Sequence, residues 1–276
     1  MRYVLEQCVS HAQVDFIGEQ KLSDLLSWFE QAAVEASQAC GWGPAEYSLA
    51  GCVWIIRRTR VWRFAPVGGL DHLRVETRVA DVRRARSLRE YCVWRGTTKV
   101  AEGVSDWVYY DLERRRPARV PAELSSALYG SEPVPSLERS PHPWSERPEP
   151  ADRLRVAVRP SDLDHLQHVN NATYADLLDD AVLAWCAAHG WPLPRMLAHG
   201  GALRPVGLDV EYLDDAGSGT ELLIDTWGSW SDGPGSAPEQ AEFVQSVRAN
   251  SGVVVARAVS HYVWRTCAPV LGRPPR

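Results

Sequence analysis

The stretch Asp162-Leu163-Asp164-His165-Leu166-Gln167-His168-Val169-Asn170-Asn171-Ala172-Thr173-Tyr174 sets two carboxylates, two imidazoles and two adjacent amides in a short loop. From Tyr174 the apolar residues Tyr174, Leu177, Leu178, Ala181, Val182 and Trp185 recur at helical spacing, so the loop is expected to feed a helix with one buried face that Gly190 ends. Asn170 or Asn171 falls where an N-cap belongs. A helix start offers unpaired backbone N–H groups and the positive end of the dipole. Negative charge growing on a carbonyl oxygen near Val169 to Asn171 would be stabilised there. Asp164 and His168, just before it, have the chemistry to act on water or on a leaving group.

Asp-x-Asp followed by His-Val-Asn-Asn-x-x-Tyr, entering a long apolar helix, resembles the hotdog-fold thioesterases, and specifically the second half of the double-hotdog acyl-ACP thioesterases of plants and bacteria. In that family the second Asp of the motif, an Asn two residues on, the His and a later strand acid are implicated in hydrolysis. The matching positions are Asp164, Leu166, His168 and Asp215, with Asp214 a near alternative to Asp215. Leu166 departs from the pattern, because leucine can neither hydrogen-bond a thioester carbonyl nor orient water. In the wider hotdog group the carboxylate matching Asp164 serves as nucleophile or base, while backbone N–H groups polarise the carbonyl.

The expectation is therefore that Asp164 attacks or activates water and that His168, assisted by Asp215, positions that water or protonates the leaving thiolate. Asn170 and Asn171 present the helix start, and Val169 and Tyr174 bind substrate. Asp164→Ala is expected to abolish turnover with the fold intact. His165 carries no matched role and reads as loop structure. Glu30 is a secondary candidate, since related hotdog enzymes place a helix carboxylate near its position, although an acid on a helix flank is more often solvated.

The chain has 276 residues, 45% of them hydrophobic and 12 of them Trp, enough to fill sizeable cores. A net charge of −5 argues against a general nucleic-acid binder. The six cysteines are scattered without Cys-x-x-Cys pairs or zinc-site spacing, so no metal, cofactor or disulfide framework is expected. With no signal-peptide core and no apolar run of membrane length, a cytoplasmic protein that engages no membrane is expected.

In chain order, residues 3–9 read as a strand and Leu22, Leu25, Leu26, Phe29, Ala33 and Ala36 as a helix ending before Gly41. Strand-like runs follow at 52–64, 70–82, 87–95 and 100–112. Six prolines between Ser131 and Pro150 mark a linker. The order then recurs: a strand at Leu154, Val156 and Val158, the motif helix, and strands at 203–212, 221–230, 241–249 and 252–265. Asp15 and Asp164, Glu30 and Asp179, Ala32 and Ala181, and Gly41-Trp42 and Gly190-Trp191 each lie 149 positions apart. Ser105-Asp106-Trp107-Val108 and Ser260-His261-Tyr262-Val263 follow at 155.

Two copies of one α+β unit are thus expected. With the resemblance, this implies a tandem (double) hotdog: two long helices, each wrapped by a curved antiparallel sheet, the sheets joined edge to edge. Its parts are an N-terminal hotdog at 1–130 that shapes the pocket and lacks the His-Val-Asn-Asn motif, a linker at 131–152 and a catalytic hotdog at 153–276. The partner is an acyl carrier protein or a coenzyme A thioester, the former favoured, in fatty-acid or polyketide-type biosynthesis. The doubled chain does the work of a dimer, with further homodimerisation left open.

Strand tryptophans 54, 62, 94, 107, 227, 230 and 264 are candidates for an acyl pocket as well as for core. Arg57, Arg58, Arg60, Arg63, Arg83, Arg84, Arg86 and Arg89 are candidates for recognising an acidic carrier or a pantetheine phosphate, or for a solvated strand face. A hotdog 3-hydroxyacyl-thioester dehydratase and a non-catalytic acyl-carrier binding module are the competing readings.

Overall fold

A computed structural model describes residues 2–129, 140–146, 149–232 and 237–267. The first half runs β1 (Arg2–Cys8), α1 (Leu22–Ala39), α2 (Pro44–Ala50), β2 (Cys52–Arg63), β3 (His72–Arg83), β4 (Arg86–Arg95), β5 (Thr98–Asp111), β6 (Arg116–Pro117) and α3 (Ala122–Tyr129). The second runs β7 (Asp152–Ala157), α4 (Thr173–Ala188), α5 (Leu193–Ala198), β8 (Gly201–Tyr212), β9 (Glu221–Asp232), β10 (Pro238–Ala249) and β11 (Val254–Thr266). The long strands and both long helices lie where periodicity puts them. The short helices α2, α3 and α5 were not expected, being too brief to display a period. Much of the proline-rich linker lies outside the described residues.

The strands form one antiparallel sheet in the order β1-β3-β4-β5-β2-β8-β11-β10-β9-β7, with β6 beside β5. Its centre is the pairing of β2 with β8, Arg58 to Trp62 against Glu211 to Gly207. Arg58 clamps Asp209 there with Nε and Nη2 at 2.7 and 2.6 Å. The Trp62 ring lies over Gly207, where a Cβ would come within 2.5 Å of it. Glycine at 207 is therefore what lets the ring cover the seam.

α1 buries Leu22, Leu25, Leu26, Phe29, Ala32, Ala33 and Ala36, and α4 buries Tyr174, Leu177, Leu178, Ala181, Val182 and Trp185. One continuous core takes residues from both helices and both halves of the sheet. Each fully buried Leu or Phe contributes about 1.5–3 kcal/mol. Both helices end alike: Trp42 N–H bonds Ser37 O, Trp191 N–H bonds Cys186 O, and Gly41 and Gly190 sit at φ 80° and 85°. The loops before them match too. Val14 bridges Gln20 and Glu19 bridges Gly68, as Leu163 bridges Val169 and His168 bridges Gly217.

Candidate active site

The motif loop is held by its own polar groups. Asp162 is buried and accepts bonds from the Arg159 N–H and guanidinium at 2.8 Å, and this arginine holds its pKa below the ordinary value. Asp164 N–H bonds His168 O, Gln167 N–H bonds Asp164 O, and Gln167 takes φ 65°. Gly18 holds the same place in the first half at φ 88°. Asp164 Oδ1 accepts Leu166 N–H at 2.8 Å and His168 N–H at 3.3 Å. Asp15 Oδ1 does the same for Ile17 and Glu19. One oxygen of this aspartate is thus a loop brace in both halves.

The expected helix cap is corrected. Helix α4 begins at Thr173, and its flanking residue is Ala172, which offers no side-chain cap. Asn170 acts one step earlier, its Oδ1 accepting the Ala172 N–H at 2.8 Å. That leaves the amide nitrogen of Asn170 to donate to Glu30. Nor are all the N–H groups from Val169 to Asn171 open. Val169 N–H bonds Ala216 O and Asn170 N–H bonds Asp162 O, whereas Asn171 N–H makes no hydrogen bond among the described residues.

The loop docks on the turn after β8, and this brings His168 Nε2 to 2.8 Å from Asp215 Oδ2, both side chains half exposed. Burial works to raise the Asp215 pKa, but a hydrogen bond with Asp214 and the His168 ring bring it below the ordinary value. Beside the loop lies a cavity of about 430 Å³ between α1 and the inner face of the first half's sheet. Glu30, Ala33, Val34 and Ser37 of α1 line one side, Trp54, Trp107, Ser87 and Arg89 the other, and Tyr47 of α2 and Leu128 of α3 close it. His165 and Leu166 of the motif loop complete its wall.

Glu30 therefore sits where cavity and motif loop meet. Burial first, then the nearby negative charge of Asp164, raise its pKa, against the opposing influence of His165 and Asn170. A second, small void touches Glu30, Asn171, Ala172 and Thr59. The arrangement puts a basic carboxylate at an apolar cavity, an open backbone donor on the small void beside that carboxylate, and a His–Asp pair on the same motif loop, which is a set suited to acyl transfer to water.

Residues 3–128 match the acyl-ACP thioesterase N-terminal domain, and residues 158–265 match the thioesterase-like superfamily. The chain thus resembles the acyl-ACP thioesterases in its first half and the wider thioesterase-like superfamily in its second. It is a thioester hydrolase. Among solved structures it is similar to one assigned as an oleoyl thioesterase from Lactobacillus plantarum, with TM-score 0.78, 21% identity and 97% of each chain covered. An acyl-ACP thioesterase from Bacteroides thetaiotaomicron follows at TM-score 0.74 and 20% identity, covering 96% of this chain and 98% of that one. The 12:0-ACP thioesterase from Umbellularia californica gives 0.71 and 18%, covering 96% and 97%. No curated protein sequence matches the chain. These likenesses show a hotdog-like α+β fold. No helix among the described residues is long and apolar enough to cross a membrane.

In this fold the expected site residues divide. Asp164, His168, Asn170, Asn171 and Asp215 come together around one loop, and Glu30 joins them from the other half of the chain. Tyr174 does not border the cavity: it is 3% exposed, edge-on to Tyr212 in the core. Val169 is likewise core. His165, read as loop structure, instead lines the cavity. Of the strand tryptophans, Trp54 and Trp107 line it, joined by Trp42, whereas Trp62 stacks on His261 and Trp230 meets Trp185 edge to face. The arginines read as carrier contacts are largely engaged within the protein. Arg58 pairs with Asp209, Arg63 with Glu19 and Arg86 with Asp106. Arg89 is buried at the cavity wall. Its inward register beside Tyr91 and Val93 on β4 was the signal that could have found it.

Proposed function

We propose that the protein hydrolyses acyl-ACP thioesters at a site shared by the two halves of a tandem hotdog, with 1–130 shaping the pocket, 131–152 linking and 153–276 carrying the motif. The observation that carries this is Glu30, whose carboxylate closes the inner cavity against Asp164, His165 and Asn170 of the other half. The acyl chain lies in the cavity and the thioester at its mouth. Glu30 takes the proton from the attacking water, for which a raised carboxylate pKa is suited. The growing oxyanion is met by Asn171 N–H at the helix start. His168, oriented by Asp215, protonates the departing thiolate of the pantetheine arm, and its half-exposed place suits a group arriving from solvent.

Asp164 acts as a positioning residue. Its Oδ1 braces the loop, and its charge raises the basicity of Glu30. Its Oδ2 accepts no hydrogen bond among the described residues, and this keeps a second reading open in which Asp164 itself attacks. Single-turnover assays on an acyl-ACP separate the two: Glu30→Gln is expected to lose about 10²–10⁴ in rate. If Glu30→Gln keeps the full rate while Asp164→Asn is inert, Asp164 is the reacting carboxylate. The chain acts in the cytoplasm as a single-chain equivalent of a dimer, in fatty-acid or polyketide-type synthesis.

A further inference from the structure

Among the described residues three arginines are buried: Arg63, Arg89 and Arg204. Two have carboxylates. Arg63 lies 3.8 Å from Glu19, and Arg204 lies 2.7 Å from Asp15 and 2.9 Å from Asp179. Arg89 has none. At 6% exposure, its one hydrogen bond is from Nη1 to Thr77 Oγ1 at 3.3 Å, and no carboxylate of the described residues pairs with it. The ionisable groups around it are Tyr91, Cys40 and Tyr47, none of them an anion near neutral pH. Burial lowers its pKa, yet a guanidinium stays charged.

An unpaired buried cation is costly, and the missing charge must come from elsewhere. Arg89 borders the cavity that begins at Glu30 and the motif loop. Tyr47, Ser37 and Trp54 are engaged with each other: the Tyr47 hydroxyl bonds Ser37 Oγ at 2.7 Å and receives Trp54 Nε1–H at 3.0 Å. Trp54, Trp107, Val53 and Leu128 make the rest of the wall largely apolar. On the inner row of β4, Arg89 stands one step beyond Tyr91, about 7 Å along the strand. Glu30 and the motif loop border the same cavity but are not among the charges that act on Arg89, nor is Arg89 among those that act on Glu30, so the guanidinium is set apart from the thioester end.

We propose that the cavity takes an acyl chain bearing an anionic group, a carboxylate first of all, away from its thioester end, with Arg89 as its counter-ion. This rests on the reading above that the acyl chain occupies this cavity. A planar guanidinium receives a carboxylate through two parallel hydrogen bonds, which gives selectivity as well as affinity.

The test compares glutaryl-, adipoyl- and suberoyl-pantetheine with pentanoyl-, hexanoyl- and octanoyl-pantetheine on the wild type, Arg89→Met and Arg89→Lys. Folding of each variant is checked by thermal melting. In parallel, calorimetry measures adipic acid monoamide against hexanamide, a comparison that needs no turnover. The expected result is a wild-type preference of about tenfold or more in kcat/KM for at least one ω-carboxyacyl substrate over its neutral partner. Arg89→Met should reverse the preference, Arg89→Lys should retain part of it, and the monoamide should outbind hexanamide on the wild type only. Equal or better use of neutral chains by the wild type, with hexanamide binding at least as well as the monoamide, overturns the inference. If no thioester is cleaved at all, the catalytic reading falls instead, and the calorimetric comparison still decides the role of Arg89.

Discussion

The pair Glu30 and Asp164 makes a pH argument possible at the scale of single residues. A base must be ionised to act, so kcat/KM falls as pH drops through its pKa. Because the Glu30 pKa is raised above the ordinary 4.5, by burial and then by Asp164, that fall is expected to begin at a higher pH than for a free carboxylate. Asp164→Asn removes the like charge, so the acidic limb should move down in pH, and Glu30→Gln should abolish the limb. A pH profile unmoved by Asp164→Asn would detach Asp164 from Glu30. Asparagine suits this test better than the alanine first expected, because alanine also removes the acceptor that braces Leu166 and His168. At the other side of the site, His168→Ala should slow turnover of an acyl-ACP about 10²–10⁴-fold. Single-turnover rates that stay within a few-fold of the wild type would remove His168 from the reaction.

At the scale of elements, the same loop, helix and strand appear twice and reach opposite outcomes. In the second copy of the arrangement, Asp15 and Asp179 stand in the places of Asp164 and Glu30. Arg204 from β8 lies between them, and Tyr262 Oη–H donates to Asp179 at 3.1 Å. The residue matching Arg204 on β2 is Ile55, so Glu30 and Asp164 have no such cation. Glu19, in the place of His168, is held by Arg63 and Arg265 at 3.8 and 3.7 Å. One copy is thus locked by ion pairs while the other opens on a cavity. Arg204→Met is expected to cost about 3–5 kcal/mol, since it strands two buried carboxylates. Burial already raises the Asp179 pKa and Arg204 opposes it, so removing Arg204 raises it further. A raised carboxylate pKa favours the folded state at low pH, so the deficit in urea denaturation should shrink from about pH 8 to about pH 5. A deficit independent of pH would show that packing, not charge, is what Arg204 supplies.

At the scale of the whole molecule, the site needs both halves, since Glu30 comes from α1 and His168 from the loop before α4. The two halves meet at β2 and β8, whose edges separation would expose. Residues 1–130 and 153–276 produced separately are therefore expected to be inactive and prone to associate, with acyl-ACP hydrolysis appearing only on mixing. Activity in either piece alone would end the shared-site proposal. What the sequence by itself determined was whatever depends on neighbours along the chain. The helical and alternating periods placed the long helices and strands, two constant offsets exposed the repeat, and the Asp-x-Asp and His-Val-Asn-Asn string marked the loop. The tertiary structure alone decided which groups face one another. Burial turned Glu30 from a flanking acid into a raised base, docking on a turn set Asp215 rather than its neighbour Asp214 against His168, and the fold enclosed Arg89 with no carboxylate of the described residues paired to it. Those outcomes depend on desolvation and on charges brought close from distant positions, and neither quantity is written in local spacing.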